Sequence, residues 1–493
     1  MKRKFLTSLS ILLFLNLTVK TFWILGIDRS VQNLLGTESF GFYFNILNFS
    51  FLLNIILDFG ITNYNNRNIA QHVHLLRKHF SGIVILRLLL GVLYMLVIMI
   101  IGLIIGYSKS QLAMLSVIGV NQFLLAFILY LRSNISGLLL FKTDSFLSVL
   151  DRLLMIIMVG AMLLIDSMRV QFKIEWFVYA QTLAYVLTAI VALGLVIYKS
   201  GFRRPSWSIP FFLMIMKQSW PYALLALLMA SYNRVDTVFI ERLLPKSEGL
   251  HQVGIYAEAF RMLDAASMVA YLFAVLLLPL FANMIKNRMD VSEIVKLSYT
   301  LIFVFSVSVA VISVFYSSPI MSTLYPIHPS ESLLMFQERI VQSARIFSLL
   351  MMGFVAISTT YIFGTLLTAN GSIRILNYTA LGGVLVSFLL NYFLIPEYKA
   401  FGSAIASLSS QALTALAQMI LVLWIFKMKK DWVYIFRMSA FVIGGILAGV
   451  IIQKIELNWF HGLIILAAFM FIWSILLRLL SLKALMAILN EGK

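Results

Sequence analysis

Fourteen apolar runs, each 20–30 residues long, alternate with short polar gaps along the 493-residue chain. They lie near 5–26, 40–59, 81–107, 112–141, 145–166, 174–199, 218–240, 253–281, 294–316, 342–368, 373–395, 400–427, 433–453 and 458–482. Each is long enough to cross a hydrocarbon core about 30 Å thick as a helix. Helices are required because backbone N–H and C=O groups in lipid must pair within their own segment. None of the runs carries the two-residue alternation of a membrane β-barrel. The pattern predicts an all-α polytopic membrane protein with about 14 transmembrane helices.

The gaps are short. The largest, around 60–80, 200–217 and 317–341, are too small to hold the core of a separate domain. One of them, "SGFRRPSWSIPFFLMIMK" at 200–217, mixes basic, aromatic and apolar residues, as a segment lying along the cytoplasmic interface would. It also falls where a linker between two halves belongs. Charge in the gaps orients the spans. With "MKRK" inside, inner loops hold Arg67, Arg77, Lys78, Arg203, Arg204, Lys286, Arg288, Lys427, Lys429, Lys430 and Arg437. Outer loops hold Arg29, Lys109, Lys173, Lys246, Lys399 and Lys454. The bias is roughly two to one and predicts both termini on the cytoplasmic side. The first run follows basic residues as a secretion signal does. It continues through Asn16, Thr18 and Lys20 to Gly26 without a small-residue cleavage site, so it reads as a retained span.

Composition agrees: 61% of residues are hydrophobic and 12% charged, against about 45–50% and about 25% in soluble domains. Membrane lipids are therefore the chain's solvent. The formal net charge of +18 would suggest nucleic acid on a soluble chain. Here the cytoplasmic loop bias accounts for it, and no nucleic-acid partner is expected. Zero cysteines exclude disulfides, thiolate metal sites and thiol nucleophiles. No G-x-x-x-x-G-K-[ST] loop occurs, so ATP hydrolysis by the chain itself is not expected. "HVH" at 72–74 sits in a basic loop without acidic or cysteine neighbours and reads as solvated histidines, not a metal site.

A phrase recurs at a constant offset. "GIDRSVQNLLGTESFGFYFNIL" (26–47) aligns without a gap to "FIERLLPKSEGLHQVGIYAEAF" (239–260). Ile27 meets Ile240, Asp28 meets Glu241, Arg29 meets Arg242, Gly36 meets Gly249, Gly41 meets Gly254 and Tyr43 meets Tyr256. One copy joins spans one and two, the other joins spans seven and eight. Six intervening spans put both on the predicted outer side, which defines a parallel repeat about an axis along the membrane normal. The glycines suit tight turns. The Asp28–Arg29 and Glu241–Arg242 pairs are either gating contacts on the outer side or solvated turn charges. Glycine-rich "LGGVL" and "IGGILAG" read as helix-packing surfaces. A duplicated bundle without a soluble domain favours moving a molecule over transforming it.

The stretches "LGTESFGFYF", "YNRVDTVFIERLL", "VGIYAEAFRMLDAA" and "LLTANGSIRILNYTALGGVLVSFLLNYFLIPEYKAFGSAIAS" resemble the polysaccharide flippases of the multidrug/oligosaccharidyl-lipid/polysaccharide exporter superfamily. These include O-antigen and capsule-unit flippases, with lipid II flippases more distant. The resemblance runs over nearly the whole chain, through motifs that are loose singly but correctly ordered. It implies two six-helix lobes in a V around a central cavity plus two C-terminal helices. The lobes would be residues 1–200 and 218–430, with linker 201–217 and the extra pair in 431–493. It also implies a bacterial inner-membrane location and a substrate of undecaprenyl-diphosphate-linked oligosaccharide. A polysaccharide polymerase and chain-length machinery are implied partners.

Ionisable residues inside spans are functional candidates, because their burial is costly unless paired or hydrated. Lys20 lies six residues before Gly26, about 9 Å along a helix. It faces either a cavity or the outer interface, and the resemblance favours the cavity. Arg87 and Arg132 lie near inner span ends. Arg87 leans towards lipid headgroups, whereas Arg132, before the polar "SNISG", is divided between headgroup and water-filled lining. Arg234 and Asp236, two apart on a helix, do not face one another and need separate partners. Glu258, Arg261 and Asp264, spaced by three, share one face as a self-neutralising ladder, unless Arg261 turns to a cavity. The resemblance implies a substrate role for Arg261 and a sodium site at Asp236 and Asn391. Sodium, protons or no coupling ion all stay open. The cationic set for a diphosphate is Lys20, Arg132, Arg234 and Arg261, since guanidinium and ammonium groups replace its water shell.

The reading is a non-enzymatic, alternating-access flippase of lipid-linked oligosaccharides. The alternatives are a drug or metabolite exporter of the same superfamily, an integral membrane glycan polymerase or glycosyltransferase, and a scaffold for glycan assembly. Sparse acidic residues and short loops speak against the polymerase.

Overall fold

The structure, a computed structural model, describes residues 14–62, 65, 74–138, 140–200, 207–428, 431–455 and 457–480. The start of the first span with "MKRK", Arg67, His72, Arg203, Arg204, Lys429 and Lys430 lie outside the described residues. All regular structure among the described residues is helical. Ten helices among them are long and apolar enough to cross a membrane, or eleven when one bent pair counts as a span. Of the first of the fourteen runs only residues 14–26 are described, and elsewhere the difference has a local cause. Runs eleven and twelve form one 53-residue helix, Ile373–Ile425, bent at Lys399 (φ 54°, ψ −136°). The first two runs join through a π-helical turn, Trp23–Asp28, and the helix Arg29–Leu52, which reverses at Gly36. The chain divides into two compact units, Met1–Gly254 and Ile255–Lys493.

In the first unit, helix α1 (14–22) leads through the π turn into α2 (Arg29–Leu52). Then come α3 (His74–Ile105), α4 (Lys109–Gly137), α5 (Phe141–Leu164) and α6 (Ile174–Ser200). Two further helices, α7 (Ile209–Arg234) and α8 (Asp236–Leu243), meet at a 48° bend. Helix α9 (Lys246–Lys286) then starts in this unit and continues into the second. Ser108 begins α4 with a capping box: its hydroxyl accepts from the Gln111 N–H, while the Gln111 side chain takes the Ser108 N–H. The core joins residues at helical spacing, including Ile83, Leu86 and Leu90 of α3, Leu131 and Ile135 of α4, and Ala192 and Val196 of α6.

The recurring phrase is explained inside this unit. At Gly36 the backbone adopts φ +76°, a conformation that costs glycine little. Its counterpart Gly249 has no such φ and instead sits against the Glu241 backbone, where a Cβ would lie 2.9 Å from the carbonyl oxygen. Tight turning thus accounts for only one of the paired glycines. The other pair packs reciprocally. A Cβ on Gly41 would lie 2.2 Å from the Leu250 oxygen, and one on Gly254 would lie 2.0 Å from the Thr37 oxygen. Thr37 and Leu250 are themselves equivalent positions in the repeat, each four residues before its glycine. The two copies therefore cross backbone to backbone at their matching glycines, the small-residue contact by which membrane helices approach closely. Gln32 Nε2 donates to the Gly254 oxygen (3.2 Å), and Thr37 Oγ1 shares a hydrogen bond with His251 Nδ1 (3.0 Å).

In the second unit, α9 is followed by α10 (Ser292–Leu324), α11 (Leu333–Ala369), α12 (Ile373–Ile425), α13 (Trp432–Gln453) and α14 (Trp459–Leu476). Helix α11 packs against both α10 and α12. The last two helices sit on α10 around Val307, Val311, Phe441 and Met470. Within "IGGILAG", Gly444 lies against the Trp473 indole, Gly445 against Met470 and Gly449 against Phe315, so this stretch is a packing surface. In "LGGVL", a Cβ on Gly382 would meet nothing within 4 Å, so that position is not a packing contact among the described residues.

Helix α10 kinks at Tyr316 (φ −121°, ψ 20°), just before Pro319. Proline has no N–H to give the carbonyl four residues earlier, which belongs to Phe315. Gln453 Nε2 of α13 donates to that oxygen instead, at 2.8 Å. Gln453→Leu should therefore destabilise the protein by about 0.5–1.5 kcal/mol, the net worth of one hydrogen bond, here at an exposed helix end. A thermal-unfolding series in detergent measures it, and an unchanged midpoint would show that the bond contributes nothing. At the other end of α13, Asp431 caps the Tyr434 N–H and pairs with Lys296 Nζ at 2.5 Å. The hydrogen bond from Lys296 holds the Asp431 carboxyl below its ordinary value.

Candidate functional site: cations within the membrane spans

Three elements of the first unit bring charges together. Lys20 comes from α1, Arg132 from α4, and Asp144, Asp151 and Arg152 from α5. Asn16 Nδ2 donates to Ser148 Oγ at 2.8 Å and fastens α1 to α5 along this face. Arg132 Nε donates to Asp144 Oδ1 at 2.8 Å, with both side chains largely buried. A carboxylate of the next helix holds Arg132. Asp151 lies 3.7 Å from Arg152. Lys20 lies within electrostatic range of all four charged groups. No ion pair closes on Lys20 among the described residues. Three cations thus face two carboxylates, and one positive charge stays uncompensated at a depth where that is costly.

Sequence reasoning missed Arg152 and Asp151. The signal was present, because "LSVLDRLLMII" places two adjacent charges inside an apolar run, the same criterion that singled out Lys20. The Arg152 guanidinium carbon lies 5.6 Å from the Trp23 ring and 5.8 Å from the Tyr185 ring. Trp23 in turn stacks on Phe177 at 5.7 Å, and Gln181 Nε2 donates to the Tyr43 hydroxyl at 3.0 Å. The aromatic frame orients the guanidinium, and Arg152 Nη1 also donates to Met155 Sδ at 3.3 Å.

Other cations are saturated by the protein. Arg87 does not reach headgroups: only 1% of its side chain is exposed. It donates to the Leu57 oxygen (2.5 Å), Asp58 Oδ1 (2.5 Å) and Thr62 Oγ1 (2.7 Å), and its guanidinium lies over the Tyr130 ring. Thr62 also binds Asp58 through its hydroxyl. This is a structural staple between α3 and the short turn Ile55–Asp58. The three-charge ladder of α9 does not form in full. Arg261 pairs with Asp264 at 3.7 Å, but Glu258 turns to Arg339 Nη1 at 2.6 Å. Arg339 also donates to Glu331 through Nε (2.8 Å) and Nη2 (3.0 Å), and to the Pro326 oxygen (3.1 Å). A buried carboxylate takes the nearest guanidinium with free donors, and α11 supplies one better placed than the neighbour on its own helix. Arg339 was hidden because α11 begins at Leu333, nine residues before the apolar run at 342.

Arg234 and Asp236 end one helix and start the next, so the 48° bend separates them. Arg234 donates to Asn48 Oδ1 at 3.3 Å and lies over the Phe51 ring. Asp236 is buried at the start of α8, where the helix dipole favours a carboxylate. Asn391 belongs to the second unit; its Oδ1 accepts from Ser403 Oγ (2.7 Å) and its Nδ2 donates to the Ser387 oxygen (2.9 Å). Among the described residues no group of three His, Asp or Glu side chains is placed to hold a metal ion. Asp28 is buried at the end of the π turn, and Arg29 is half-buried. Glu241 accepts from Asn45 Nδ2 (2.8 Å) and Gln111 Nε2 (2.5 Å) and lies 3.3 Å from Arg242, whose guanidinium covers the Tyr107 ring. Glu241 is therefore a buried acceptor inside the first unit, not a solvated turn charge.

A family profile described as "Polysaccharide biosynthesis protein" matches residues 29–285. The chain belongs to that family. The matched region contains Arg132, Asp144, Asp151 and Arg152 of the cluster, most of the first copy of the repeated phrase, all of the second and the bent α7–α8 pair, while Lys20 lies ahead of it. Among solved structures, the lipid II flippase MurJ in an inward closed conformation is similar at 15% identity and TM-score 0.64, covering 96% of this chain and 97% of that one. A multidrug resistance MATE family transporter of the MOP superfamily, inward-facing, is similar at 14% identity and TM-score 0.60, covering 83% and 94%. A MOP superfamily transporter from Pyrococcus furiosus is similar at 15% identity and TM-score 0.54, covering 87% and 97%. No curated protein matches the chain. At these identities the structural likeness establishes a shared fold: a multi-pass helical membrane protein of the MurJ and MATE type.

Proposed function

We propose that this family member flips undecaprenyl-diphosphate-linked oligosaccharide units from the cytoplasmic to the periplasmic leaflet of the bacterial inner membrane. The units would feed O-antigen, capsule or another surface polysaccharide. The observation that carries the reading is the excess positive charge at Lys20, Arg132 and Arg152, set among aromatic rings inside membrane helices. A diphosphate crossing hydrocarbon must exchange its hydration shell for fixed donors, and guanidinium with ammonium supplies them. Among the described residues Lys20 is the cation least committed to the protein, and Arg152, held by Asp151, Met155 and its aromatic frame, stands within its electrostatic range. Arg234 and Arg261 are the further candidates, each already holding a contact in its own unit. Two matched halves suit alternating access. The helix pair α13–α14, packed on α10, supports a flippase over a twelve-span exporter.

A polymerase and chain-length machinery are the natural downstream partners of such a step. Asp236 and Asn391 are the proposed sodium residues. Asp236 offers a buried carboxylate and Asn391 an oxygen already accepting from Ser403. The two lie in different units, and no transport step is routed through the ion.

The test is flipping of a fluorescent undecaprenyl-diphosphate sugar in proteoliposomes. Lys20→Ala and Arg152→Ala should each slow it at least about tenfold, equivalent to about 1.4 kcal/mol at the barrier. Arg152→Lys should recover part of the rate by restoring charge without the planar fork. Full activity in the Lys20→Ala, Arg152→Ala double variant, at normal membrane content, would end this reading.

A further inference from the structure

At the end of the second unit that loop charges assign to the outer side, α10, α11 and the second half of α12 line an open groove of ≈390 Å³. Small-molecule sites run from about 300 to 1,000 Å³, so this one is of headgroup size. Its lining includes Arg345, Ser317, Ser318 and Ser348 beside Leu349 and Phe401.

Arg345 is exposed and sits on α11 three residues inside the apolar run that begins at 342. That places it about 4–5 Å along the axis from the run's end, at the boundary of hydrocarbon and headgroups. No hydrogen bond or ion pair joins it to any described residue. The contrast with Arg339 is geometric. Six residues along a helix turn the side chain by about 240°, so Arg339 enters the Glu258–Glu331 network while Arg345 leaves on another face. The kink at Tyr316 and Pro319 brings two serines to the same groove. The hydroxyls of Ser317 and Ser318 bond to no described residue. Ser348 has already given its proton to backbone carbonyls, at 3.2 Å to Ser313 and 3.0 Å to Ala344. The donors left to a ligand are therefore one guanidinium and two hydroxyls, over an apolar floor.

We propose that this groove seats the phosphate of an anionic glycerophospholipid of the outer-side leaflet. Arg345 takes the phosphate oxygens in charge-assisted hydrogen bonds, Ser317 and Ser318 donate to the same group, and Leu349 and Phe401 pack on its first methylenes. One unpaired cation balances one negative headgroup. A zwitterionic lipid brings a second cation to a place where nothing acidic lines the groove. The site is separate from the cation cluster of the first unit and does not depend on what that cluster transports.

The test titrates delipidated full-length protein with phosphatidylglycerol or phosphatidylcholine and counts bound lipid by native mass spectrometry. Phosphatidylglycerol should bind at least tenfold more tightly. Arg345→Gln should reduce it to the phosphatidylcholine level, and Arg345→Lys should keep part of the preference. Ser318→Leu, which fills the groove but keeps the cation, should weaken binding as well. Unchanged phosphatidylglycerol binding in Arg345→Gln would overturn the proposal. So would displacement of the lipid by millimolar inorganic phosphate, which would mark a site for a free anion.

Discussion

Gly254→Ala should leave little folded protein in the membrane. Its new methyl would lie 2.0 Å from the Thr37 oxygen, and the obstacle is backbone, which cannot rotate aside as a side chain can. Gly41→Ala makes the mirror-image clash, 2.2 Å from the Leu250 oxygen. Overpacking of a close-packed contact costs about 1–3 kcal/mol and more where nothing yields, so about 3 kcal/mol or above is expected for each. Separating the helices would also strain the Gln32 bond to the Gly254 oxygen and the Thr37–His251 bond. Gly194→Ala and Gly382→Ala are the controls, because a Cβ at either meets nothing within 4 Å. Detergent-extracted yield and unfolding midpoint provide the readout. A Gly254→Ala protein as stable as Gly194→Ala would show that the two copies of the phrase do not cross as described.

Arg339→Met should cost about 3–5 kcal/mol, the usual penalty for removing one partner of a buried ion pair. Glu258 and Arg339 are 2% and 5% exposed, so water cannot take over when the guanidinium is lost. Glu331 loses its guanidinium too, and the Pro326 oxygen loses a donor. Adding Glu258→Leu to Arg339→Met should restore part of the stability, because an apolar pair of similar volume replaces an uncompensated carboxylate. If both single and double variants unfold at the wild-type midpoint, the network holds nothing together. The Glu258–Arg339 pair ties α9 to α11, and Tyr325, just past the end of α10, adds a hydroxyl bond to the Glu258 oxygen at 3.0 Å.

Both cases show how far residue pattern carries. The equivalence of Gly41 with Gly254 was visible as a repeat, yet its purpose was not, since a glycine reserved for a turn and one reserved for close approach look alike. Gly36 turned out to be the first kind and Gly41 the second. Glu258, Arg261 and Asp264 share a helix face by spacing, but spacing within one helix cannot reveal that another helix supplies Arg339. Arg87 followed the same course: its position near a span end suggested headgroups, and Asp58 with Thr62 claimed it instead. Asp151 and Arg152 were within reach of the sequence rule and simply not drawn from it.

The residue pattern alone determined the solvent and the helical class, because hydrocarbon forbids unpaired backbone and punishes charge so strongly that composition and run length decide these; the family was legible only through the resemblance of particular motifs. It also located the intramembrane charges. Only the tertiary structure decided which of them remain available, because that depends on donors arriving from distant helices. Arg87 and Arg339 are consumed by acids 29 residues upstream and 81 residues upstream, while Lys20 is left facing two ion pairs with no partner of its own among the described residues.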